Sequence, residues 1–132
     1  MDLQIRGGKI ADAATCGRIC YEAFKSIAAE HNFKPDFPNA DVAKGLVSMM
    51  LSNQGFHGIV AERDGMIVGS NFLDERNPIS GVGPITVDPL AQNEGVGRQL
   101  MLAIMERSQG KGFAGIRLVQ SGYHCRDRKS VV

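Results

Sequence analysis

The chain has 132 residues, of which 43% are hydrophobic and 22% charged, and its formal net charge is +1. This length predicts one globular domain spanning residues 1–132, and the near-neutral charge excludes a global field for nucleic acid or an anionic membrane. No apolar run approaches the ~18 residues of a membrane-spanning helix and the N-terminus lacks a signal-peptide pattern, so we expect a cytoplasmic protein.

A strand and a helix are predicted first. Residues 3–6 favour a short strand, and from Asp12, a candidate N-cap, apolar residues recur at helical spacing up to Ala28. Cys16 and Cys20 lie four residues apart on the apolar face of this helix. Because further metal ligands are not nearby, we interpret both as small core residues and predict no metal site.

A second helix and a hairpin follow a loop rich in proline. Asn39 or Asp41 is expected to cap the helix. The Asp64-Gly65 pair then separates the runs 57–62 and 66–72, and this dipeptide is a strong signal for a type I′ hairpin. The two runs are therefore predicted to be antiparallel second and third strands.

The last predicted elements are a strand, a helix and a strand. The fourth strand, residues 82–87, contains Pro84, which donates no ladder hydrogen bond, so the sheet should bulge or part there. The helix should end near Gly110 and Gly112, and residues 115–119 form a fifth strand. This spacing predicts a right-handed parallel crossover, and the whole order β-α-α-β-β-β-α-β predicts an α/β (α+β) fold with a mixed sheet.

The turn before this helix has the sequence Gln92-Asn93-Glu94-Gly95-Val96-Gly97. Its glycines leave bare backbone at a helix start, where unpaired N–H groups and the helix dipole favour a phosphate group. A Rossmann pattern would need glycine where Leu100 stands, and the sequence does not match a mononucleotide P-loop. The ligand hypothesis is a nucleotide; the alternative is a tight turn whose glycines serve packing alone.

A longer pattern is more specific. Val87-x-Pro89-x-x-Gln92-x-x-Gly95-Val96-Gly97 resembles the acyl-CoA loop of the GNAT superfamily of N-acetyltransferases, which has Gln or Arg, two residues, Gly, one residue, and Gly or Ala. The resemblance extends over about residues 3–124 and implies a GNAT-like fold with acetyl-CoA as cosubstrate. It implies that the loop holds the pyrophosphate and strand four the pantetheine arm, through Ile85, Thr86, Val87, Gln92, Asn93, Glu94, Gly95, Val96, Gly97 and Arg98.

The resemblance also implies direct attack of an amine on the thioester. Asp74, at the end of strand three, is the candidate general base, although a solvated turn residue or a water chain are the alternatives. Tyr123 is the candidate acid for the departing thiolate, and Phe33 and Phe37 are candidates for shaping the acceptor pocket.

The chain departs from the family after strand five. Relatives usually continue with a helix and two strands, whereas only residues 121–132 remain here, so we expect a truncated member. Strand five would then be an edge with Ile116 partly uncovered, which predicts a homodimer through this strand and the tail. Alternatively, the preceding helix and the tail cover the edge.

We therefore expect an N-acetyltransferase that acts on a primary amine of a small molecule or peptide, without nucleic-acid or membrane partners. The alternative is an acyl-CoA-binding domain whose catalysis is reduced or lost through truncation. A third hypothesis is a structural remnant that binds nothing.

Overall fold

A computed structural model describes residues 3–30, 39–91 and 95–118. The elements follow the predicted order, but the bounds of the predicted fourth strand, 82–87, were wrong. The strand begins earlier, at Ile79, breaks after Val82 and resumes as a separate strand of two residues at Thr86–Val87. In chain order they are β1 (Leu3–Gly7), α1 (Ala13–Glu30), α2 (Ala40–Ser52), β2 (Phe56–Arg63), β3 (Met66–Asp74), β4 (Ile79–Val82), β5 (Thr86–Val87), α3 (Val96–Lys111) and β6 (Gly115–Leu118).

One mixed sheet carries all these strands. Its order is β1-β2-β3-β4-β6, with β5 placed beside β3. The pairs from β1 to β5 are antiparallel, whereas β4 and β6 are parallel, with Ile79 opposite Gly115 and Val82 opposite Leu118. The predicted mixed sheet and the parallel pairing across α3 are therefore confirmed.

The hairpin between β2 and β3 is also confirmed. Arg63 pairs with Met66, so the turn consists of Asp64 and Gly65 alone. Both turn residues have positive φ, 54° and 78°, as a type I′ turn requires.

Two of the predicted helix termini, the start of α2 and the end of α3, match the structure, and the predicted start of α1 does not. Asn39 caps α2 by accepting the Val42 N–H at 3.1 Å, and Gly112 ends α3 with φ of 75°. The prediction that Asp12 caps α1 was wrong. Asp12 ends a 3-10 turn that continues directly into α1, so it does not stand before the helix. Its carboxylate is bonded outside α1, because it accepts the Lys9 N–H at 2.8 Å and pairs with Arg6 at 2.9 Å.

The core has one cluster on each face of the sheet. On the α1–α2 face, fully buried Cys16 and Cys20 pack with side chains of α2 and with Phe72, which confirms both cysteines as core residues. On the opposite face, α3 packs through Val96, Leu100, Met101 and Ile104. Within the described ranges, no helix is long and apolar enough to cross a membrane.

Candidate active site

The break in the predicted fourth strand is a β-bulge. Before the break, the Gly83 N–H donates to the Phe72 carbonyl at 2.9 Å, and after it Thr86 lies opposite Ser70. The chain thus advances from 83 to 86 while its partner moves only from 72 to 70, so two residues, 84 and 85, oppose Asn71. One extra residue is the definition of a bulge, which confirms the prediction made from Pro84.

The bulge leaves β5 with an open backbone edge. The Asp88 N–H donates to the Val68 carbonyl at 2.8 Å, and Val87 faces Gly69 in the next position of the ladder. Because hydrogen-bonded and non-bonded pairs alternate in antiparallel strands, the N–H and C=O of Val87 point away from β3. In the part of the chain that the structure describes, β3 is the one strand that pairs with β5. The Val87 backbone can therefore pair with an extended ligand.

The start of α3 lies beside this edge. Gly95 is the N-cap with φ of 81°, a conformation that glycine tolerates best, and it provides no side-chain cap. The first turn contains no acidic residue, while Arg98 is exposed there. Among the residues that the structure describes, no side chain is hydrogen-bonded to the N–H groups of this first turn, where the helix dipole favours an anion.

The strand edge and the helix start are adjacent. A Cβ atom built on Gly97 would lie 3.7 Å from Cγ2 of Val87, an ordinary van der Waals distance. The geometry therefore places a helix start, which suits a phosphate group, beside an open strand edge, which suits an extended chain.

Buried hydroxyls support β5 from the other face of the sheet. The hydroxyls of Ser70 and Thr86 lie 3.2 Å apart, and both residues are buried. Cys16 lies next to Ser70, and burial raises the pKa of its thiol to about 11. A thiol with this pKa is neutral at physiological pH and is unsuited to nucleophilic catalysis.

Asp74, the candidate base, lies at the far end of β3. Ser70, opposite β5, is four residues away, which corresponds to about 13 Å along a strand. Arg76 holds the Asp74 carboxylate through two bonds of 2.8 Å, and this pairing lowers the pKa of Asp74. A carboxylate with a lowered pKa is ionised but weakly basic. The role of Asp74 stays a prediction.

The neighbouring carboxylate is similarly paired. Arg107 of α3 donates to Glu75 at 2.8 and 3.2 Å and lowers the pKa of that carboxyl. His57 lies nearby, where burial lowers the pKa of its imidazole. This group joins the end of β3 to the last turns of α3.

The remaining predicted site residues divide into three groups. Ile85, Thr86 and Val87 lie at the bulge and β5, where Ile85 packs against the α3-side core. Gly95, Val96, Gly97 and Arg98 form the helix start. Gln92, Asn93, Glu94, Phe33, Phe37 and Tyr123 lie outside the described residues.

Three residues of β3 behind the site were not identified from the sequence. A Cβ atom on Gly69 would lie 2.8 Å from the Thr86 carbonyl oxygen, Ser70 meets Thr86, and Asn71 lies opposite the bulge. Their signal in the sequence is a run of small and polar residues inside an otherwise apolar strand. Such a run indicates close backbone approach or side-chain hydrogen bonds.

A family comparison agrees with this geometry. The model of the acetyltransferase (GNAT) domain matches residues 21–121. No curated protein sequence matches the chain.

Solved structures share the fold. A GNAT family acetyltransferase from Brucella melitensis in complex with acetyl-CoA is 25% identical, with a TM-score of 0.70 over 95% of this chain and 80% of its own. The PaiA N-acetyltransferase from Thermoplasma acidophilum, in complex with coenzyme A, is 16% identical, with a TM-score of 0.75 over 99% and 87%. A ribosomal-protein-alanine N-acetyltransferase from Brucella melitensis biovar Abortus 2308 is 15% identical, with a TM-score of 0.68 over 97% and 86%.

Proposed function

The chain belongs to the GNAT acetyltransferase family, and we propose that it transfers the acetyl group of acetyl-CoA to a primary amine. The observation that carries this proposal is the open Val87 edge beside the uncapped start of α3. One ligand with a diphosphate and an amide-containing arm uses both elements at once, and acetyl-CoA has this chemistry.

Coenzyme binding follows from the two elements. The N–H groups at Gly95, Val96, Gly97 and Arg98 bind the pyrophosphate, together with the preceding Gln92, Asn93 and Glu94 of the family loop. The pantetheine amides pair with the segment Ile85, Thr86 and Val87, chiefly through the outward N–H and C=O of Val87, in the manner of strand addition.

The transfer itself needs three groups. The amine nitrogen forms a bond to the acetyl carbon while the carbon–sulfur bond breaks, and the amine proton ends on the thiolate. A backbone N–H at β5 polarises the carbonyl oxygen. We retain Asp74 as the candidate base and Tyr123 as the candidate acid, and Asp74 must first leave Arg76 to accept a proton. A water chain is the alternative base.

The acceptor class is an amine of a small molecule or peptide. We also propose a homodimer through β6 and the following tail, since β6 is the last strand of the described sheet and Ile116 on it is 37% exposed. Sedimentation velocity at micromolar concentration measures the assembly state, and a monodisperse monomer contradicts the dimer.

Titration calorimetry with acetyl-CoA, followed by a thiol-release assay over a panel of amines, tests the proposed function. We expect saturable binding and amine-dependent release of free coenzyme A. Absence of binding contradicts the coenzyme site, whereas binding without release for any amine contradicts the transferase activity.

The second candidate function is acyl-CoA binding without turnover. It is favoured by the arginine pairing of both carboxylates at the end of β3, Asp74 and Glu75, which makes each a weak base. Comparison of Asp74→Asn and Tyr123→Phe with the original chain in the thiol-release assay decides whether either side chain contributes to the rate. A rate that neither substitution changes assigns the proton transfers to other groups.

A further inference from the structure

Asn71 is an unusual residue for the middle of a buried strand. It is 0% exposed, and its neighbours on β3, Ser70 and Phe72, are also buried. A primary amide buried without hydrogen-bond partners is destabilising, so the contacts of both ends of this side chain need an explanation.

The oxygen of the Asn71 side chain repairs the ladder at the bulge. In a regular antiparallel pair, Phe72 and Gly83 would exchange two backbone hydrogen bonds. The Gly83 N–H does donate to the Phe72 carbonyl, but the Phe72 N–H donates to Oδ1 of Asn71 at 2.9 Å, in place of the return bond. The carboxamide thus takes a position in the ladder at the point where the extra residue enters.

The nitrogen of the same side chain contacts α3. Nδ2 of Asn71 donates to the carbonyl of Leu100 at 3.4 Å, and Leu100 is fully buried on the helix that begins with the glycine turn. One side chain therefore connects the bulge, which offsets β5, with the helix whose start binds the anion.

We propose that Asn71 is a positioning residue for the acyl end of acetyl-CoA, an inference that rests on the proposed function. Its carboxamide fixes the position of the bulge, and with it the one-residue shift of β5 along β3, relative to α3. The offset sets where the outward backbone groups of Val87 meet the pantetheine amides and the thioester. The nucleotide end depends on the helix start, whereas the hydrogen bond of Asn71 to α3 is made further along the helix, at Leu100.

The affinities for two ligands distinguish a positioning role of Asn71 from a general loss of stability in its variants. We compare Asn71→Leu, which keeps the side-chain size but removes both hydrogen bonds, with Asn71→Thr, which suits a strand but is too short for both contacts. Ser108→Ala is the matched control, because Ser108 is a buried polar residue bonded to Ser80 at 2.9 Å near the other end of α3. Affinities are measured for acetyl-CoA and for 3′-phospho-ADP, the nucleotide half of coenzyme A.

In both Asn71 variants we expect acetyl-CoA affinity to fall roughly tenfold, as expected for a buried hydrogen-bonding group, with 3′-phospho-ADP affinity changed by less than about twofold. Ser108→Ala should leave the ratio of the two affinities unchanged. Equal losses for both ligands, or unchanged acetyl-CoA affinity in a folded variant, overturn the proposal.

Hydrogen exchange tests the positioning role of Asn71 without a ligand. The amide of Phe72 should exchange faster in the Asn71 variants than in Ser108→Ala, because it loses its side-chain acceptor. The peptide that spans residues 79–88, which includes the bulge opposite Asn71, should exchange faster with it. Equal exchange in the three variants overturns the positioning role. Failure of the original chain to bind either ligand contradicts the proposed function, and the exchange result still shows whether Asn71 holds the offset.

Discussion

The α-carbon of Gly69 approaches β5 so closely that a Cβ atom there would lie 2.8 Å from the carbonyl oxygen of Thr86. The same atom would lie 3.0 Å from Cδ1 of Leu100 and 3.2 Å from Cγ1 of Val96. The position thus borders both halves of the proposed coenzyme site, the strand β5 and the helix α3. Glycine is the one residue that fits without movement of backbone.

Gly69→Ala should therefore weaken both folding and acetyl-CoA binding. The added methyl group must displace β5 or α3, and overpacking of this kind costs about 1–3 kcal/mol. Chemical denaturation measures the free energy of unfolding, and calorimetry measures the affinity. Gly81→Ala is the control, because its Cβ atom would meet that of Asp74 at an ordinary 3.5 Å. Equal stability of the two variants contradicts the close approach.

Gly97→Glu should prevent acetyl-CoA binding. The side chain would place bulk and a negative charge in the first turn of α3, where the pyrophosphate is proposed to lie. Steric exclusion together with repulsion between like charges predicts a loss of at least about 100-fold in affinity. Gly110→Glu places the same side chain in the last turn of the same helix and should bind normally. Calorimetric titration compares the two, and equal affinities disprove the assignment of the phosphate site.

The helices α1 and α2 touch at Gly17. A Cβ atom there would lie 2.5 Å from Cα of Lys44, so Gly17→Ala must push the helices apart and should lower the free energy of unfolding by about 1–3 kcal/mol. At Gly45, on the other helix, an added Cβ atom meets nothing within 4 Å. Gly45→Ala should stabilise the protein by roughly 0.5–1 kcal/mol through helix propensity. Urea denaturation measures both values; a stabilising Gly17→Ala is the contrary result.

The Glu75–Arg107 pair predicts a pH-dependent contribution to stability. Because the pKa of Glu75 is lower in the folded state than its ordinary value of 4.5, the contribution is complete above pH 4.5. It is lost as the pH falls through the lower folded-state pKa. Glu75→Gln should therefore reduce the free energy of unfolding by about 1 kcal/mol at neutral pH, and the difference should vanish in acid.

Denaturation curves across this pH range test the prediction. Glu106→Gln is the charge-matched control, since Glu106 is an exposed residue of α3 and the neighbour of Arg107 in the sequence. A Glu75→Gln effect that persists unchanged in strong acid shows that the charge is not its cause.

The buried thiol of Cys16 should resist alkylation. Its pKa is raised to about 11 by burial, so the reactive thiolate is scarce at pH 8, and the sulfur is 0% exposed. We expect iodoacetamide to leave Cys16 and Cys20 unmodified in the native protein and to modify both in denaturant. Peptide mass spectrometry measures the modification, and rapid native labelling of Cys16 contradicts its burial.

Local signals in the sequence predicted most of the fold. The Asp64-Gly65 turn, the Asn39 cap and the glycine that ends α3 each depend on backbone preferences of neighbouring residues, so they can be predicted without tertiary information. Pro84 indicated a break because it lacks an N–H. The size of the register shift between β3 and β5 at this break depends on packing against other elements, so it could not be predicted from the sequence.

The polar contacts near the site also depend on tertiary packing, so they could not be predicted from the sequence. Asn71 meets a carbonyl 29 residues away along the chain, and Arg107 meets Glu75 across 32 residues. Contacts between residues so far apart in the sequence cannot be predicted from the periodicity of a single helix or strand. The pairing of Asp74 with Arg76 is local, but it depends on the side-chain conformations of an exposed turn, so its effect on the candidate base was not evident either.

The connectivity of the sheet implies an order of assembly. Strands β2 and β3 are joined by two residues, whereas β5 and α3 lie between β4 and β6 along the chain. Contacts close in sequence form earliest during folding, so we expect pulse-labelled amides of the hairpin to gain protection before those of β6. A refolding intermediate of this kind would have a formed hairpin but no complete coenzyme-binding site. The rate at which acetyl-CoA binding returns during refolding would therefore report the rate of the final folding step.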